Sequence, residues 1–255
     1  MYHVVLFDLD GTLTDPGEGI TNSVAYALKK YGIGVSDKRE LYKFIGPPLH
    51  ESFEMYYGFS KEQAKEAVEY YREYYRETGI FENFVYQGME DTLKILKDSG
   101  RKLAVATSKP ELFAKEILEH FHLETYFEYV AGANMDGTRT KKDEVISYAL
   151  DALKLSGAYL DGAKAEEDGV VSYAKGAPEL SGTGDSPRKE LGSSKVLMVG
   201  DREHDILGAA KVGLSSIGVL YGYGSREELT AAGALYLARK PEDIWKYISV
   251  GNGPN

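Results

Sequence analysis

Short runs of apolar residues alternate with segments of helical spacing along most of the chain. After residue 85 the apolar runs have the length of strands, and the segments between them carry apolar residues at every third or fourth position. Strands that alternate with helices indicate a parallel sheet covered on both faces. We predict strands over 102–106, 129–133, 195–199, 216–220 and 234–238, and helices over 89–98, 110–121, 143–153, 204–212, 225 onward and 241–248.

The region between the first apolar run and residue 85 lacks this alternation and is predicted to be nearly all helical. Asp37 with Glu40, and Ser60 with Gln63, have the spacing of a capping box, which predicts helix starts there. Between them the segment 45–49 (IGPPL) predicts a rigid loop, because a glycine and two prolines do not fit inside a helix. The predicted helices are 20–31, 37–44, 50–57 and 61–78.

One long segment, 156–194, does not fit the alternation of strands and helices. It contains seven glycines and two prolines at a place where a short connection would suffice. We interpret it as an insertion that forms a flexible surface loop. The alternative is a small β-excursion around 170–173 that touches the site or a partner.

The composition is that of a globular protein outside the membrane. The chain has 255 residues, is 43% hydrophobic and 27% charged, and has no apolar run near the roughly 20 residues of a membrane span. The absence of cysteine excludes disulfides and thiolate metal sites. A net charge of -10 argues against nucleic acid as a partner. Because Met1 leads directly into an apolar run without a basic leader, we expect a cytoplasmic protein.

Two carboxylates stand at alternate positions, Asp8 and Asp10, where the apolar start of the run 3–15 (HVVLFDLDGTLTD) ends. Side chains two apart in an extended strand lie on the same face, so both carboxylates can point at one ligand. Two anions this close repel each other unless a cation or a shared proton lies between them. The pair therefore indicates a metal site.

A second carboxylate pair, Asp201 and Asp205, follows the apolar run 195–199. Functional residues of a parallel sheet gather beyond the carboxyl ends of its strands, so the two acidic pairs are expected to meet there. Together they supply the hard oxygen ligands that Mg²⁺ prefers. The alternative for each aspartate is a helix N-cap, and for Asp205 a brace of the loop.

Hydroxyl and basic residues follow two other elements. Thr107 and Ser108 come at the end of the strand 102–106, where hydroxyls and free backbone N–H groups are suited to phosphate oxygens. An ordinary N-cap is the alternative reading of Thr107. Lys141 and Lys142 precede a predicted helix, and one of them could place a positive charge beside the acidic cluster; the alternative is a solvated lysine pair.

These elements, in this order, resemble the haloacid dehalogenase superfamily, in its branch of phosphoglycolate phosphatase-like and 5′-nucleotidase-like hydrolases. The resemblance rests on DLDGTLTD at 8–15, a strand that ends in Thr107, a lysine before a helix at 142, and GDREHD at 200–205. It implies an α/β fold with a Rossmann-like doubly wound parallel sheet core and a small inserted all-helical cap domain. The implied domains are a catalytic core of 1–15 and 85–255, with 156–194 as an insertion, and a cap of 16–84.

The resemblance also implies how the reaction would proceed. Asp8 would attack phosphorus and form an aspartyl phosphate. Asp10 would protonate the leaving group and then activate the water that hydrolyses the intermediate. Thr107 and Lys142, with Ser108 beside them, would bind the phosphoryl oxygens.

A Mg²⁺ cofactor is implied as well. The ion would be held by the Asp8 carboxylate, the Asp10 backbone carbonyl and Asp201. Asp205 would support these ligands through the phosphate-binding lysine or through a water. Lys142 is favoured as that lysine because it directly precedes the helix. Lys141 remains open, since the lysine–proline pair common in the family is absent.

Substrate choice is assigned to the cap, because the core motifs contact only phosphate and metal. Gly46, Pro47 and Pro48 are expected to face the site, with a mere helix-breaking turn as the alternative, and Lys109 is a further specificity candidate. The tyrosines 70, 71, 74 and 75 are expected to pack the cap or cover its surface, and a base-stacking platform is their alternative role.

The predicted function is Mg²⁺-dependent hydrolysis of a small phosphorylated metabolite by a monomer or homodimer. A 5′-nucleotidase acting on nucleoside monophosphates, a phosphosugar mutase and a non-enzymatic binding protein are the alternatives. The sequence does not separate phosphoglycolate, nucleoside monophosphates, pyrophosphate and phosphotyrosine as substrates.

Overall fold

A parallel sheet forms the centre of the structure, a computed structural model that describes residues 2–154 and 195–250. The predicted insertion 156–194, with its alternative strand at 170–173, lies outside the described residues. The strands are β1 (Val4–Phe7), β2 (Thr14–Asp15), β3 (Phe84–Val85), β4 (Lys102–Pro110), β5 (Tyr129–Ala133), β6 (Val196–Gly200), β7 (Ser215–Val219) and β8 (Tyr236–Ala238). Six of them form the sheet in the order β5-β4-β1-β6-β7-β8, and every pairing within it is parallel.

The helices lie on both faces of this sheet or between β2 and β3. The α-helices are α1 (Gly17–Lys30), α2 (Leu49–Tyr57), α3 (Lys61–Tyr74), α4 (Met89–Asp98), α5 (Glu111–His120), α6 (Lys142–Ala152), α7 (Glu203–Lys211), α8 (Arg226–Ala232) and α9 (Pro241–Val250). No helix among the described residues is both long enough and apolar enough to cross a bilayer.

Alternate residues of the central strands belong to different cores. Val5 and Phe7 of β1 pack in the cluster that contains α4, α5 and α9, whereas Val4 and Leu6 pack against α6 and α7. Burial on both faces explains why these strands are continuous apolar runs. The doubly wound α/β fold predicted from the sequence is therefore confirmed.

The register of the sheet brings three strand ends together. Phe7, the last residue of β1, lies opposite Val105 of β4 and Val199 of β6. The residues that follow β1 and β6, and the outer half of β4, therefore emerge at one edge of the sheet.

The helical region predicted between the first apolar run and residue 85 is present between β2 and β3, and it is called the cap below. It contains α1, α2 and α3, a 3₁₀ helix over Lys38–Phe44 and a π-helical turn over Tyr75–Gly79. The sequence did not reveal that β2 and β3 pair as a short antiparallel ribbon where the chain leaves and re-enters the core. Two-residue strands carry too short a pattern to be recognised.

The two predicted capping boxes have different outcomes. The box of Ser60 and Gln63 is confirmed, since both of its hydrogen bonds are present. The box of Asp37 and Glu40 is wrong, because the Asp37 carboxylate accepts from the backbone N–H of Arg39 and also pairs with the Arg39 guanidinium at 2.7 Å. The segment that follows is a 3₁₀ helix rather than an α-helix.

Candidate active site

Acidic and hydroxyl side chains meet at the edge where β1, β4 and β6 end. Asp8 directly follows β1, Thr107 lies in the outer half of β4, and Asp201 directly follows β6. All three are buried. Parallel pairing alone is sufficient to bring these residues together from distant parts of the chain.

A tight turn after β1 brings the backbone of Gly11 into close contact with the Asp201 carboxylate. Gly11 has φ +80°, and a Cβ at this position would overlap the Asp201 carboxylate. Gly222, in the loop after β7, is equally close to Asp201. Glycine is required at both positions because backbone approaches the carboxylate more closely than any side chain would permit.

Lys142 connects two of the carboxylates. It is the first residue of α6, and its side chain is 4% exposed. Its Nζ lies 2.8 Å from Asp8 Oδ1 and 2.7 Å from Asp205 Oδ1, and it also donates to the carbonyl oxygen of Ala106. Burial alone lowers the pKa of Lys142, but Asp205 and Asp8 outweigh it and raise the pKa above its ordinary value. Lys141 is exposed and precedes the helix as its N-cap residue.

Asp8, Asp201 and Asp205 form a cluster that could hold a metal ion. One carboxylate oxygen from each lies within 4.8 Å of the others. Asp201 Oδ2 accepts from the backbone N–H of Tyr223 at 2.7 Å, but the buried Asp201 Oδ1 has no hydrogen-bond partner. Burial, and then the neighbouring charges of Asp205 and Asp8, raise the pKa of Asp201 well above its ordinary value. A cation would satisfy the unpartnered oxygen and relieve this repulsion, so the residues fit a bound metal.

Asp10 is not one of the three clustered carboxylates. Lys109 Nζ donates to its Oδ2 at 2.6 Å and lies 4.9 Å from the centre of the Tyr75 ring. Burial raises the pKa of Asp10, and Lys109 opposes that rise without cancelling it. The cap residue Tyr75 thus contacts the lysine that contacts Asp10.

The hydroxyl residues of the predicted phosphate site lie on an extended backbone. The strand predicted to end at residue 106 continues to Pro110 as β4, with an irregularity after Ala106. Thr107 Oγ1 accepts from the backbone N–H of Lys109 at 3.2 Å. Thr107 and Ser108 both line the same cavity as Asp8.

That cavity lies between the core and the cap and has a volume of about 150 Å³. The predicted specificity residues Gly46, Pro47 and Pro48 line it from the cap, and Lys109 lines it from the core. The structure therefore brings together every site residue predicted from the sequence.

The four tyrosines of the cap divide into two pairs. Tyr71 and Tyr75 are buried, line the cavity and stack on each other at 5.2 Å. Tyr70 and Tyr74 are partly buried and donate to glutamate side chains on the cap. Two of the four therefore belong to the wall of the site, a location that helical spacing alone did not indicate.

Two further residues of the site were missed in the sequence. Arg202 joins the core to the cap, because its guanidinium donates to the carbonyl oxygen of Ile45 and to Glu228 Oε1, each at 2.8 Å. Tyr223 donates through its backbone to Asp201 and through its hydroxyl to Asp15 at the start of the cap. The glycine-rich run 221–224 directly after a predicted strand was the signal that could have identified Tyr223.

Comparisons with known proteins indicate one family. A model of haloacid dehalogenase-like hydrolases matches residues 5–158, and a second, HAD-hydrolase-like model matches residues 173–248. The chain is 44% identical to a 5′-nucleotidase of Pseudomonas aeruginosa over 230 residues, which is 90% of this chain and 88% of that protein. It is 36% identical to the tyrosine-protein kinase PtkA of Mycobacterium tuberculosis over 87% of this chain and 63% of that protein.

A solved structure resembles the whole fold. The crystal structure described as a predicted phosphatase from Clostridium acetobutylicum has a TM-score of 0.81 and 44% sequence identity, and the match covers 98% of this chain and 99% of that one. The chain therefore belongs to the haloacid dehalogenase-like hydrolase family, and the phosphatase of that family predicted from the sequence is confirmed.

Proposed function

We propose that the protein is a Mg²⁺-dependent phosphomonoester hydrolase that acts on a small phosphorylated metabolite through an aspartyl phosphate on Asp8. The observation that carries the proposal is the position of Asp8, which lies in the acidic cluster, contacts the buried ammonium of Lys142 and lines the cavity. A carboxylate held in this way is directed toward a bound phosphoryl group.

Binding and attack use residues from three elements. Thr107 and Ser108 at the outer end of β4 offer hydroxyls and backbone N–H groups to the phosphoryl oxygens. Lys142 supplies a positive charge beside Asp8, and Asp205 keeps that charge in place at 2.7 Å. Because the lysine is fixed before the reaction, negative charge that develops on the phosphoryl oxygens is stabilised without reorganisation.

Asp10 is proposed as the acid that protonates the leaving group and then as the base that activates water. It lines the cavity on the side of Lys109 and the cap rather than with the metal cluster. Its carboxyl group is therefore located where a leaving group would enter the cap.

The metal is proposed to be Mg²⁺, held by the carboxylates of Asp8 and Asp201 and the backbone carbonyl of Asp10, with Asp205 supporting this set. When bound, the ion supplies positive charge that offsets the phosphoryl oxygens and the neighbouring carboxylates. The three carboxylates of the cluster (Asp8, Asp201 and Asp205) lie beside one lysine, Lys142, so one divalent cation balances the remaining charge.

We also propose the division into a core of 1–15 and 85–255 and a cap of 16–84. The paired strands β2 and β3 lie at both crossings between the two parts, which supports this boundary. The cap walls the cavity opposite Asp8, so it would choose the leaving group.

Phosphate release is the direct test of the proposed function. A panel of phosphoglycolate, a nucleoside monophosphate, pyrophosphate and phosphotyrosine should include at least one ester that is hydrolysed with Mg²⁺ and not with EDTA. The 5′-nucleotidase alternative is supported by the Pseudomonas relative and predicts that nucleoside monophosphates are turned over fastest. A mutase would release no phosphate without a sugar acceptor, and that outcome would contradict hydrolysis.

The choice between the two adjacent lysines leads to a prediction. Lys142→Met should lower kcat by about 10²–10³-fold, because removal of a preorganised charge beside the reacting group costs about that much. Lys141→Met removes the same charge from an exposed position and should stay within about twofold of wild type. Steady-state phosphate release measures both. Equal losses in the two variants would contradict the assignment of Lys142.

A further inference from the structure

The positively charged side chains that line the cavity determine which leaving groups it can accept. Its lysine and arginine side chains, among the residues that the structure describes, are Arg72, Lys109, Lys142 and Arg202. A substrate with a second anionic group, such as a carboxylate or another phosphate, would need one of these cations to compensate its desolvation.

The two lysines are held by carboxylates of the reaction centre. Lys142 is shared between Asp8 and Asp205, and Lys109 contacts Asp10 at 2.6 Å with only 6% of its side chain exposed. Lys142 therefore serves the phosphoryl end of the site, and the charge of Lys109 is compensated by Asp10 on the side of the cap. With a divalent cation and the phosphoryl dianion bound, the phosphoryl end carries no surplus positive charge for a second anion.

The two arginines are held by partners outside the cavity. Arg72 Nη1 lies 2.7 Å from Glu69 Oε1, and its Nη2 donates to the carbonyl oxygen of Met135 at 3.2 Å. Arg202 is held between Glu228 and the carbonyl oxygen of Ile45, as described above. The charge of each arginine is therefore already compensated by a carboxylate, and an anion of the substrate bound there would lie beside Glu69 or Glu228 and be repelled by it.

The remaining wall on the cap side is largely apolar. Phe44, Leu49, Val68 and the faces of Tyr71 and Tyr75 line it. The two histidines of the lining, His50 and His204, are exposed. The cavity of about 150 Å³ also has to hold the phosphoryl group beside Asp8 and Thr107, so the enclosed part of a leaving group must be small.

We propose that the site selects phosphomonoesters whose leaving group is uncharged and mainly apolar where it meets the cap, and discriminates against leaving groups with a second anion. The inference rests on the proposed phosphomonoester hydrolysis and specifies its substrate class. An alkyl, aryl or nucleoside phosphate fits this class, whereas phosphoglycolate and pyrophosphate do not.

Three esters that differ only at one ring position test the selection. They are phenyl phosphate, 4-carbamoylphenyl phosphate and 4-carboxyphenyl phosphate; the amide has nearly the size and shape of the carboxylate without its charge. With the Mg²⁺-loaded wild-type protein, kcat/KM for the carboxylate should be at least about 10-fold below that for the amide. Equal values, or a preference for the carboxylate, would overturn the proposal.

Binding measurements separate this inference from the proposed function. Calorimetry with the Asp8→Asn protein and the same three esters should give the weakest Kd for the carboxylate, whether or not the wild type turns any of them over. If the wild type hydrolyses none of them but the order of Kd holds, the proposed function fails and the selection stands. If hydrolysis is found and the carboxylate ester binds as tightly as the amide ester, the proposed selection is contradicted while the proposed hydrolysis stands.

Two variants at Val68 test whether the lack of an available cation on the apolar wall causes the discrimination against the carboxylate. Val68 is partly buried on α3 and lines the apolar wall, so Val68→Arg adds a cation there, while Val68→Met adds bulk without charge. The arginine variant should reduce the amide-to-carboxylate ratio of kcat/KM at least about threefold, and the methionine variant should leave the ratio unchanged. An unchanged ratio in the arginine variant, with its fold intact by circular dichroism, counts against the missing cation as the cause.

Discussion

Asp8→Asn should lower kcat by on the order of 10⁴-fold or more while the protein keeps its fold. Asp8 is the proposed nucleophile, and an amide oxygen in its place is too weak to attack phosphorus. The substitution nearly preserves volume at a buried position, and Asp205 still neutralises Lys142 at 2.7 Å. We therefore expect little change in the melting temperature or in the near-UV circular dichroism.

Steady-state phosphate release measures the loss, and intact mass after acid quenching tests for the covalent phosphate that wild type should form and the variant should lack. Asp98→Asn is the matched control, because Asp98 is exposed on α4 and pairs with Lys94, away from the cavity. It should retain wild-type turnover. Release at a near wild-type rate from Asp8→Asn would exclude Asp8 as the nucleophile.

Most of the core was predictable because its signal is local. The strands of the sheet are continuous apolar runs, and the helices between them have regular spacing, so β5 and α4 were predicted at their observed bounds. Asp8 and Asp201 were predictable for a related reason, since each directly follows a strand and parallel pairing brings strand ends together.

The relation between Asp8 and Asp10 was less predictable. Strand geometry places residues two apart on one face, but β1 ends at Phe7 and the chain then enters the turn at Gly11. Asp8 consequently joins the acidic cluster, whereas Asp10 meets Lys109. Both line the cavity, but they face different parts of it.

The remaining features depend on contacts between distant segments. Whether Lys141 or Lys142 points inward depends on the residue at which α6 begins, and a shift of one position turns the side chain by about 100°. Arg202 reaches Ile45 across 157 positions of sequence, and no local pattern indicates such a partner. A single sequence without this register information leaves both questions open.

The proposed metal site leads to a prediction that does not depend on activity alone. Asp201→Asn should nearly abolish Mg²⁺-dependent turnover and should also remove the stabilisation of the fold by Mg²⁺. Asp201 is 1% exposed, and its unpartnered Oδ1 lies in the acidic cluster. An asparagine keeps an acceptor for the Tyr223 N–H but brings no charge to the ion.

Without metal, the melting temperatures of Asp201→Asn and wild type should differ in the opposite direction. Burial and the charges of Asp205 and Asp8 hold the pKa of Asp201 well above its ordinary value, so the ionised carboxylate is unfavourable without a cation. Removing it relieves that repulsion, and the metal-free variant should melt at a higher temperature than metal-free wild type. Each 1 kcal/mol of relief corresponds to about 2–4 °C for a domain of this size.

Thermal melts with EDTA and with rising Mg²⁺ distinguish these expectations. Wild type should gain about 2.7 kcal/mol when Mg²⁺ reaches 100 times its Kd, because an ion that binds only the folded state stabilises it by mass action. Asp98→Asn, with its exposed carboxylate, should follow wild type in both conditions. If Asp201→Asn gained as much from Mg²⁺ as wild type does, the ion would lie elsewhere, and the acidic cluster would need another explanation for its unpartnered oxygen.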